Sequence, residues 1–281
     1  MANRSILISG ARGYIGQAVV RALKQHDVDV IALDMPGAYP EGADSFIGAN
    51  ALAESFDIAD YLDTPPDACL HLAWRNGFDH KNVSHIEDLP GHFRFLANML
   101  DAGVPRVAVM GSVHEVGYWE GPIDENTPCN PQSLYGIAKD ALRRMFLLKA
   151  DEVGATPLWL RGFYIYGNDE KSQSIFGKIA RAAAAGQKTF PFTTGSNQFD
   201  FIHIDELAEQ IAACLLQDEE SGIINCCTGK PVSLAQQVEE FIRVNGFDIE
   251  LEYGAFPDRP YDSPGIWGDA SKIERILSAQ R

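Results

Sequence analysis

The chain has 281 residues, 46% of them hydrophobic and 22% charged, with a formal net charge of -16 at pH 7. That length is long for one domain and short for two full ones, so one large α/β domain with a smaller appended region fits best. The acidic balance argues against nucleic acid and anionic membranes as partners, while a helix N-terminus or a local arginine can still hold a small phosphate.

Residues 6–8 form an apolar run that predicts a first strand, and Gly10 follows it. Val19, Val20 and Leu23 fall at helical spacing after Tyr14. A second strand is expected over 28–33, ending at Asp34, with short strands over 45–47 and 68–73. Phe93, Leu96, Ala97 and Leu100 predict a helix, 106–110 a strand, 133–149 a long helix and 158–166 a further strand. After Gly167 the rhythm loosens into a helix over 176–185, a loop over 190–195, a strand over 199–204 and a helix over 206–216. Residues 256–268 are rich in Pro and Gly and read as a segment that wraps a ligand. Short apolar strands alternating with helices indicate a parallel α/β sheet covered on both faces. No internal repeat or low-complexity segment is visible.

Cys69, Cys129, Cys214, Cys226 and Cys227 form no CxxC or Cys/His metal spacing, and no metal site is expected. Adjacent cysteines are poorly placed for a disulfide, so buried free thiols are expected, as suits a reducing cytoplasm. The N-terminus lacks a signal-peptide pattern, and no apolar run is long enough to span a bilayer.

Gly10, Gly13 and Gly16 join the first strand to the first helix. One glycine allows the tight turn, another lets the backbone approach a pyrophosphate, and the last permits close helix–sheet packing. The helix N-terminus then offers free N–H groups and a positive dipole end to the phosphates. This is the entry of a Rossmann-type doubly wound fold. Asp34, about 20 residues on, is placed to accept from an adenosine ribose 2′-OH, which favours NAD. Arg12 in the same loop could instead pair with a 2′-phosphate, which keeps NADP open.

Tyr135 and Lys139 lie four apart near the start of the long helix, so both side chains share one face. A free tyrosine, with a pKa of about 10, is a poor base at neutral pH. A nearby ammonium and the positive ring of an oxidised nicotinamide both favour phenolate and move it into a useful acid/base range. A lone Y-x-x-x-K would more often be two surface residues. Here it follows a glycine loop and a serine, Ser112, at the end of the fifth strand.

With those three features in order, the sequence resembles the extended branch of the short-chain dehydrogenase/reductase superfamily, which acts mostly on nucleotide sugars. His71, Leu72 and Ala73 match the family's cofactor-side strand, Met110 to Gly117 its Ser/Thr segment, and Pro131 to Gly136 its run into the tyrosine. The resemblance implies that Ser112 bonds the reacting oxygen, Tyr135 transfers the proton, and Lys139 holds the nicotinamide ribose. It assigns the cofactor site to Gly10, Arg12, Gly13, Tyr14, Ile15, Gly16, Asp34, Leu72, Ala73, Trp74, Tyr135, Lys139 and Phe163. It assigns substrate contacts to Ser112, His114, Tyr135, Tyr164 and Arg259. A homodimer through two helices per subunit is common in the family. The expected division is residues 1–167 for the dinucleotide, with 196–228 returning to it, and a smaller, discontinuous substrate-binding region from 168–195 and 229–281.

Two positions depart from the family's UDP-galactose 4-epimerases. Phe199 stands where those carry an arginine that meets the diphosphate, and Tyr164 where they often carry asparagine. Arg259-Pro260 resembles a late family segment whose arginine pairs with a nucleotide phosphate. Val113 and His114 stand where dehydratases carry an Asp-Glu pair. His114 and Glu115 are placed either to reach substrate or to satisfy the loop. The expectation is a reductase/dehydrogenase at a sugar carbon, foremost C4 of a 4-keto-6-deoxy nucleotide sugar. A 4-epimerase using the same residues is the alternative, and a non-catalytic cofactor-binding regulator is the alternative of another class.

Overall fold

In the computed structural model, which describes residues 3–167, 173–257 and 263–280, the first apolar run forms β1 (Arg4–Ser9). The chain turns at Gly10 into α1 (Tyr14–Leu23) and returns as β2 (Val28–Asp34) and β3 (Ser45–Gly48). Next come β4 (Ala68–His71), α2 (Ser84–Glu87), α3 (Leu89–Asp101) and β5 (Arg106–Ser112). β6 (Gly121–Ile123) precedes α4 (Leu134–Val153), which starts at an N-cap serine, Ser133, and stops where Gly154 takes a left-handed conformation. Then follow β7 (Thr156–Gly162), β8 (Tyr164–Tyr166), α5 (Ile175–Ala184) and β9 (Thr189–Pro191). β10 (Gln198–His203), α6 (Ile204–Leu216), β11 (Gly222–Cys226) and β12 (Pro231–Ser233) come next. α7 (Leu234–Val244), β13 (Glu250–Glu252), β14 (Gly265–Gly268) and α8 (Ser271–Ala279) complete the chain.

Seven strands form one parallel sheet in the order β11-β7-β5-β4-β1-β2-β3. Its side chains alternate between two apolar layers, because successive residues of a strand point to opposite faces. Ile6 and Ile8 pack in one layer with Val19 and Val20 of α1 and Leu207 of α6. Leu7 packs in the other with Phe95 and Leu96 of α3 and Phe146 of α4. Each such side chain contributes roughly 1.5–3 kcal/mol on burial, so the two layers stabilise the hydrogen-bonded sheet from both faces. The strand order reverses between β1 and β4, and an open cleft at such a switch point is where α/β sheets bind ligands.

A second sheet runs β12-β10-β14-β6, with β8 paired to β10. It draws strands from both sides of Gly167. α6 and β11 return to the large sheet, whereas β10, just before them in the chain, belongs to the small one.

Three expected elements differ. The single strand over 158–166 is two, broken at Phe163, because β7 stays between β5 and β11 while β8 crosses to β10. The loop expected over 190–195 begins as strand: β9 pairs with β13. Within the Pro/Gly-rich segment, β14 pairs with β10 and β6. α7, which the sequence reading did not place, carries Leu234, Val238, Phe241 and Ile242 at helical spacing, and its capping box of Ser233 and Gln236 marks the start. Among the described residues no helix is long and apolar enough to cross a membrane.

Candidate active site

The glycine loop folds so tightly that side chains are excluded. Gly10 has φ of 76°, and a Cβ there would lie 2.7 Å from the Ala73 nitrogen. A Cβ on Gly16 would lie 2.3 Å from the Gly10 carbonyl oxygen. Gly13 is the N-cap of α1 and offers no side-chain cap, so the first N–H groups of that helix face the cleft. Leu72 extends β4 by donating to the Ser9 carbonyl at 3.0 Å, which brings Ala73 against the loop. Tyr14 donates from its hydroxyl to the Gly167 carbonyl, and Ile15 packs on the core beside it. Phe163 is buried in the same layer, at the break between β7 and β8. A backbone cradle, an uncapped helix end and an acidic strand end form together what a dinucleotide requires, so the residues present fit that group.

Asp34 and Arg12 meet directly. The Asp34 carboxylate accepts from the Arg12 backbone N–H at 2.9 Å and from its guanidinium at 3.2 Å. The guanidinium also donates to the Met35 carbonyl at 2.6 Å. The arginine that could have met a 2′-phosphate is thus turned onto the carboxylate.

Ser112 ends β5 and caps a short 3-10 turn, Val113–Glu115. Its Oγ accepts from the His114 N–H at 3.3 Å. Glu115 turns the other way, into the protein interior. Its carboxylate, fully buried, accepts from Arg161 Nε at 2.8 Å, from Trp159 Nε1 at 2.8 Å, and from the Ser112 N–H at 3.3 Å. Of the two readings held for Glu115, the structure supports the loop.

Tyr135 and Lys139 project from the first turns of α4 toward Ser112. The Tyr135 N–H, an orphan donor of the helix end, finds the His80 carbonyl at 3.1 Å. The Tyr135 ring stacks on the His80 imidazole at 4.9 Å. Burial pushes the phenol up to about 12, while a hydrogen bond with Ser112 pulls it back and the Glu115 charge adds to the rise. Lys139 is buried and donates to the Met110 carbonyl at 2.8 Å. Burial brings its ammonium down to about 7, against the attraction of Glu115. The two groups therefore sit on opposite sides of where proton transfer needs them, and a positive charge brought beside the phenol would lower it.

Histidines line this site more densely than the motifs suggested. His80 and His114 meet at 4.3 Å, and His114 also approaches Tyr135 and Tyr164, each at 6.1 Å. Burial holds His114 down at about 3, and His80 below its usual value. Trp74 stacks on His92 at 4.2 Å and donates to His85. Four histidines, His71, His80, His85 and His92, fall within one stretch of the sequence, a density that could have flagged them. Among the described residues no group of three or more His, Cys, Asp or Glu side chains is placed to hold a metal ion.

The two departures from the epimerases turn out to be one feature. Tyr164 on β8 and Phe199 on β10 stack at 4.2 Å with 28° between their planes. Asp200, beside them, is fully buried and structural: it accepts from the N–H groups of Thr228, Gly229 and Gly268. Arg259 and its neighbour Pro260 lie outside the described residues.

Residues 6–227 match the NAD dependent epimerase/dehydratase family. The chain belongs to that family. Among its curated relatives is the dTDP-6-deoxy-L-talose 4-dehydrogenase (NAD(+)) of Aggregatibacter actinomycetemcomitans, 43% identical over 272 residues, covering 94% of this chain and 99% of that one. The UDP-glucose 4-epimerase of Halalkalibacterium halodurans is 27% identical over 304 residues, covering 97% and 89%. Solved family structures of similar shape include MoeE5 with UDP-glucuronic acid and NAD, at a TM-score of 0.81, 24% identity, and coverage of 98% and 92%. The UDP-glucose 4-epimerase of Thermotoga maritima with UDP-glucose aligns at a TM-score of 0.80 and 19% identity, covering 99% and 100%. At those identities the likeness is one of fold.

Proposed function

We propose that this chain is an NAD-dependent oxidoreductase acting at C4 of a nucleotide-linked 6-deoxyhexose, with dTDP-6-deoxy-L-talose the first substrate to test. One observation carries the reading: Ser112 is hydrogen-bonded to Tyr135, and Lys139 lies over Trp74, next in the chain to the Ala73 that backs Gly10, in a chain 43% identical to a 4-dehydrogenase of that sugar.

NAD, when bound, supplies the hydride acceptor at its nicotinamide ring. Ser112 holds the C4 oxygen by a hydrogen bond, and Tyr135 takes its proton as the carbonyl forms. Lys139 keeps a positive charge near the phenol and holds the ribose hydroxyls. The Gly10–Gly16 loop and the N-terminus of α1 receive the pyrophosphate, and Asp34 the adenosine ribose. Leu72, Ala73, Trp74 and Phe163 wall the nicotinamide half. His114 and Tyr164 line the sugar, with Arg259 proposed for a phosphate. In the reverse direction the same groups return the proton to a 4-keto sugar.

The Tyr164–Phe199 stack favours this reading over a 4-epimerase, because it fills with rings the two places where an epimerase would present amide and guanidinium. Incubation with NAD and dTDP-6-deoxy-L-talose tests the proposal. Stoichiometric NADH supports it; interconversion of UDP-glucose and UDP-galactose without net NADH would replace it with the epimerase.

Three further points belong to the same reading. Residues 1–167, with 196–228, form the dinucleotide-binding part, and 168–195 with 229–281 the substrate part. Two copies pair through two helices per subunit, and Leu148 at 74% and Ile137 at 44% exposure make α4 one candidate. The enzyme works in the cytoplasm, in keeping with five free cysteines.

A further inference from the structure

Lys139 lacks a carboxylate counter-ion: among the described residues none pairs with its ammonium, which instead lies 3.7 Å from the centre of the Trp74 ring. The indole is fixed from two sides. Its Nε1 donates to His85 Nδ1 at 3.0 Å, and His85 Nε2 in turn donates to the Asp79 carbonyl at 2.9 Å, which sets a neutral tautomer. Its face stacks on His92 at 4.2 Å and 10°. His92 is held by His71 at 2.9 Å, and His71 by the Ser9 hydroxyl at 2.6 Å. A chain of hydrogen bonds from β1 thus ends at His92, which stacks on the one flat ring that meets the ammonium.

We propose that Trp74 is a positioning residue that keeps the Lys139 ammonium charged and aimed at Tyr135, in place of a counter-ion. The inference rests on reading Tyr135 and Lys139 as the proton-transfer pair. An aromatic face attracts a cation through its quadrupole, most strongly where water is excluded. A carboxylate would also hold the ammonium, but its own charge would cancel the field that Tyr135 has to feel. The indole holds the cation and leaves its charge uncancelled.

The other groups facing Lys139 do little to replace it. Glu115 attracts it from behind the Ser112 turn, but is itself engaged by Arg161 and Trp159. His71 on β4 and His92 on α3 are kept neutral by burial, with the lysine charge adding to that effect. Tyr135, on its own helix, lies 5.8 Å away by ring centre. Burial alone brings the ammonium close to neutrality at physiological pH, so loss of the indole face tips it toward the free amine.

Two measurements test this. The first uses the cofactor-free wild-type protein and needs no turnover. Indole fluorescence is followed against pH in wild type, Lys139→Met and Trp74→Phe. A step with its midpoint near 7, absent from both variants, is expected. A step that persists in Lys139→Met, or no step in wild type, overturns the proposal. The second is the pH profile of kcat/KM for NAD-dependent oxidation of dTDP-6-deoxy-L-talose. Trp74→Leu raises the acidic limb by about one pH unit, because a weaker ammonium leaves the phenol harder to ionise. Trp74→Phe, which keeps an aromatic face, restores most of that shift. A limb that stays in place in Trp74→Leu, with only the rate reduced, means that the indole merely packs. Loss of turnover in Tyr135→Phe stands apart from these outcomes, and its absence would remove the underlying reading instead.

Discussion

Glu115 and Arg161 form an ion pair at 2.8 Å in which neither side chain has any exposure. The pair lies directly behind Ser112, whose N–H the same carboxylate accepts. Arg161 also spans to the Asp124 carbonyl and Asn225, so the pair links β5 and β7 to the start of the small sheet. Removing one partner leaves the other charged and buried. Glu115→Ala should therefore cost about 3–5 kcal/mol of stability. Chemical denaturation at neutral pH reads this out, and a loss below about 1 kcal/mol would show that water or the Asp124 and Asn225 oxygens satisfy the stranded guanidinium.

The histidines make a prediction for acid. His92 and His114 are held at about 3, and His71 also lies low, against 6.5 for a free imidazole. Between those values the unfolded chain carries protons that the folded one does not. Stability is therefore whole above about 6.5 and falls as pH drops toward 3, by about 1.4 kcal/mol per pH unit for each such group. His114→Phe should flatten that slope by about one proton, as measured by urea unfolding at a series of pH values. An unchanged slope would place His114 outside the linkage.

Lys139 acts in the opposite range. Its folded value of about 7 lies below its ordinary 10.5, so between those values the unfolded chain binds the extra proton and stability rises with pH. Below about 7 the cost of burying the charge is present in full. Lys139→Met should thus lose activity yet melt about 3 °C or more above wild type at pH 7. The gap should narrow toward pH 10. A lower melting temperature at pH 7 would mean that the Met110 and Trp74 contacts outweigh the burial cost.

On the proposed reading, Asp34 and its ion pair with Arg12 select NAD over NADP. Asp34→Ala removes the acceptor for the ribose hydroxyl and frees the guanidinium. Affinity for NAD should fall about tenfold while NADP becomes a usable cofactor, as titration of each would show. A variant that still refuses NADP would indicate that Arg12 is held by the Met35 carbonyl instead.

The glycine loop, the acidic strand end and the Tyr135/Lys139 pair of the candidate site were legible in the sequence because their geometry is local. A glycine loop between strand and helix, an acidic strand end and an i, i+4 pair are each fixed by neighbours in the chain. The histidine and tryptophan cluster was not, because it depends on α3 and the loop after β4 folding back over α4. The Tyr164–Phe199 stack likewise needs β8 to leave the large sheet at Phe163, which an unbroken apolar run from 158 to 166 conceals. Glu115 was ambiguous in the sequence because a carboxylate three residues after a capping serine suits a ligand or a capping box equally, and only Trp159 and Arg161 on the neighbouring strand separate the two.

On the proposed reading, Tyr135 moves the proton during NAD-dependent oxidation at a sugar C4. NADH formation from NAD and dTDP-6-deoxy-L-talose, compared between wild type and Tyr135→Phe, tests it most directly. The wild type should produce NADH in proportion to sugar consumed. The variant should turn over about 100- to 10,000-fold more slowly. Equal turnover in the two proteins would contradict the account.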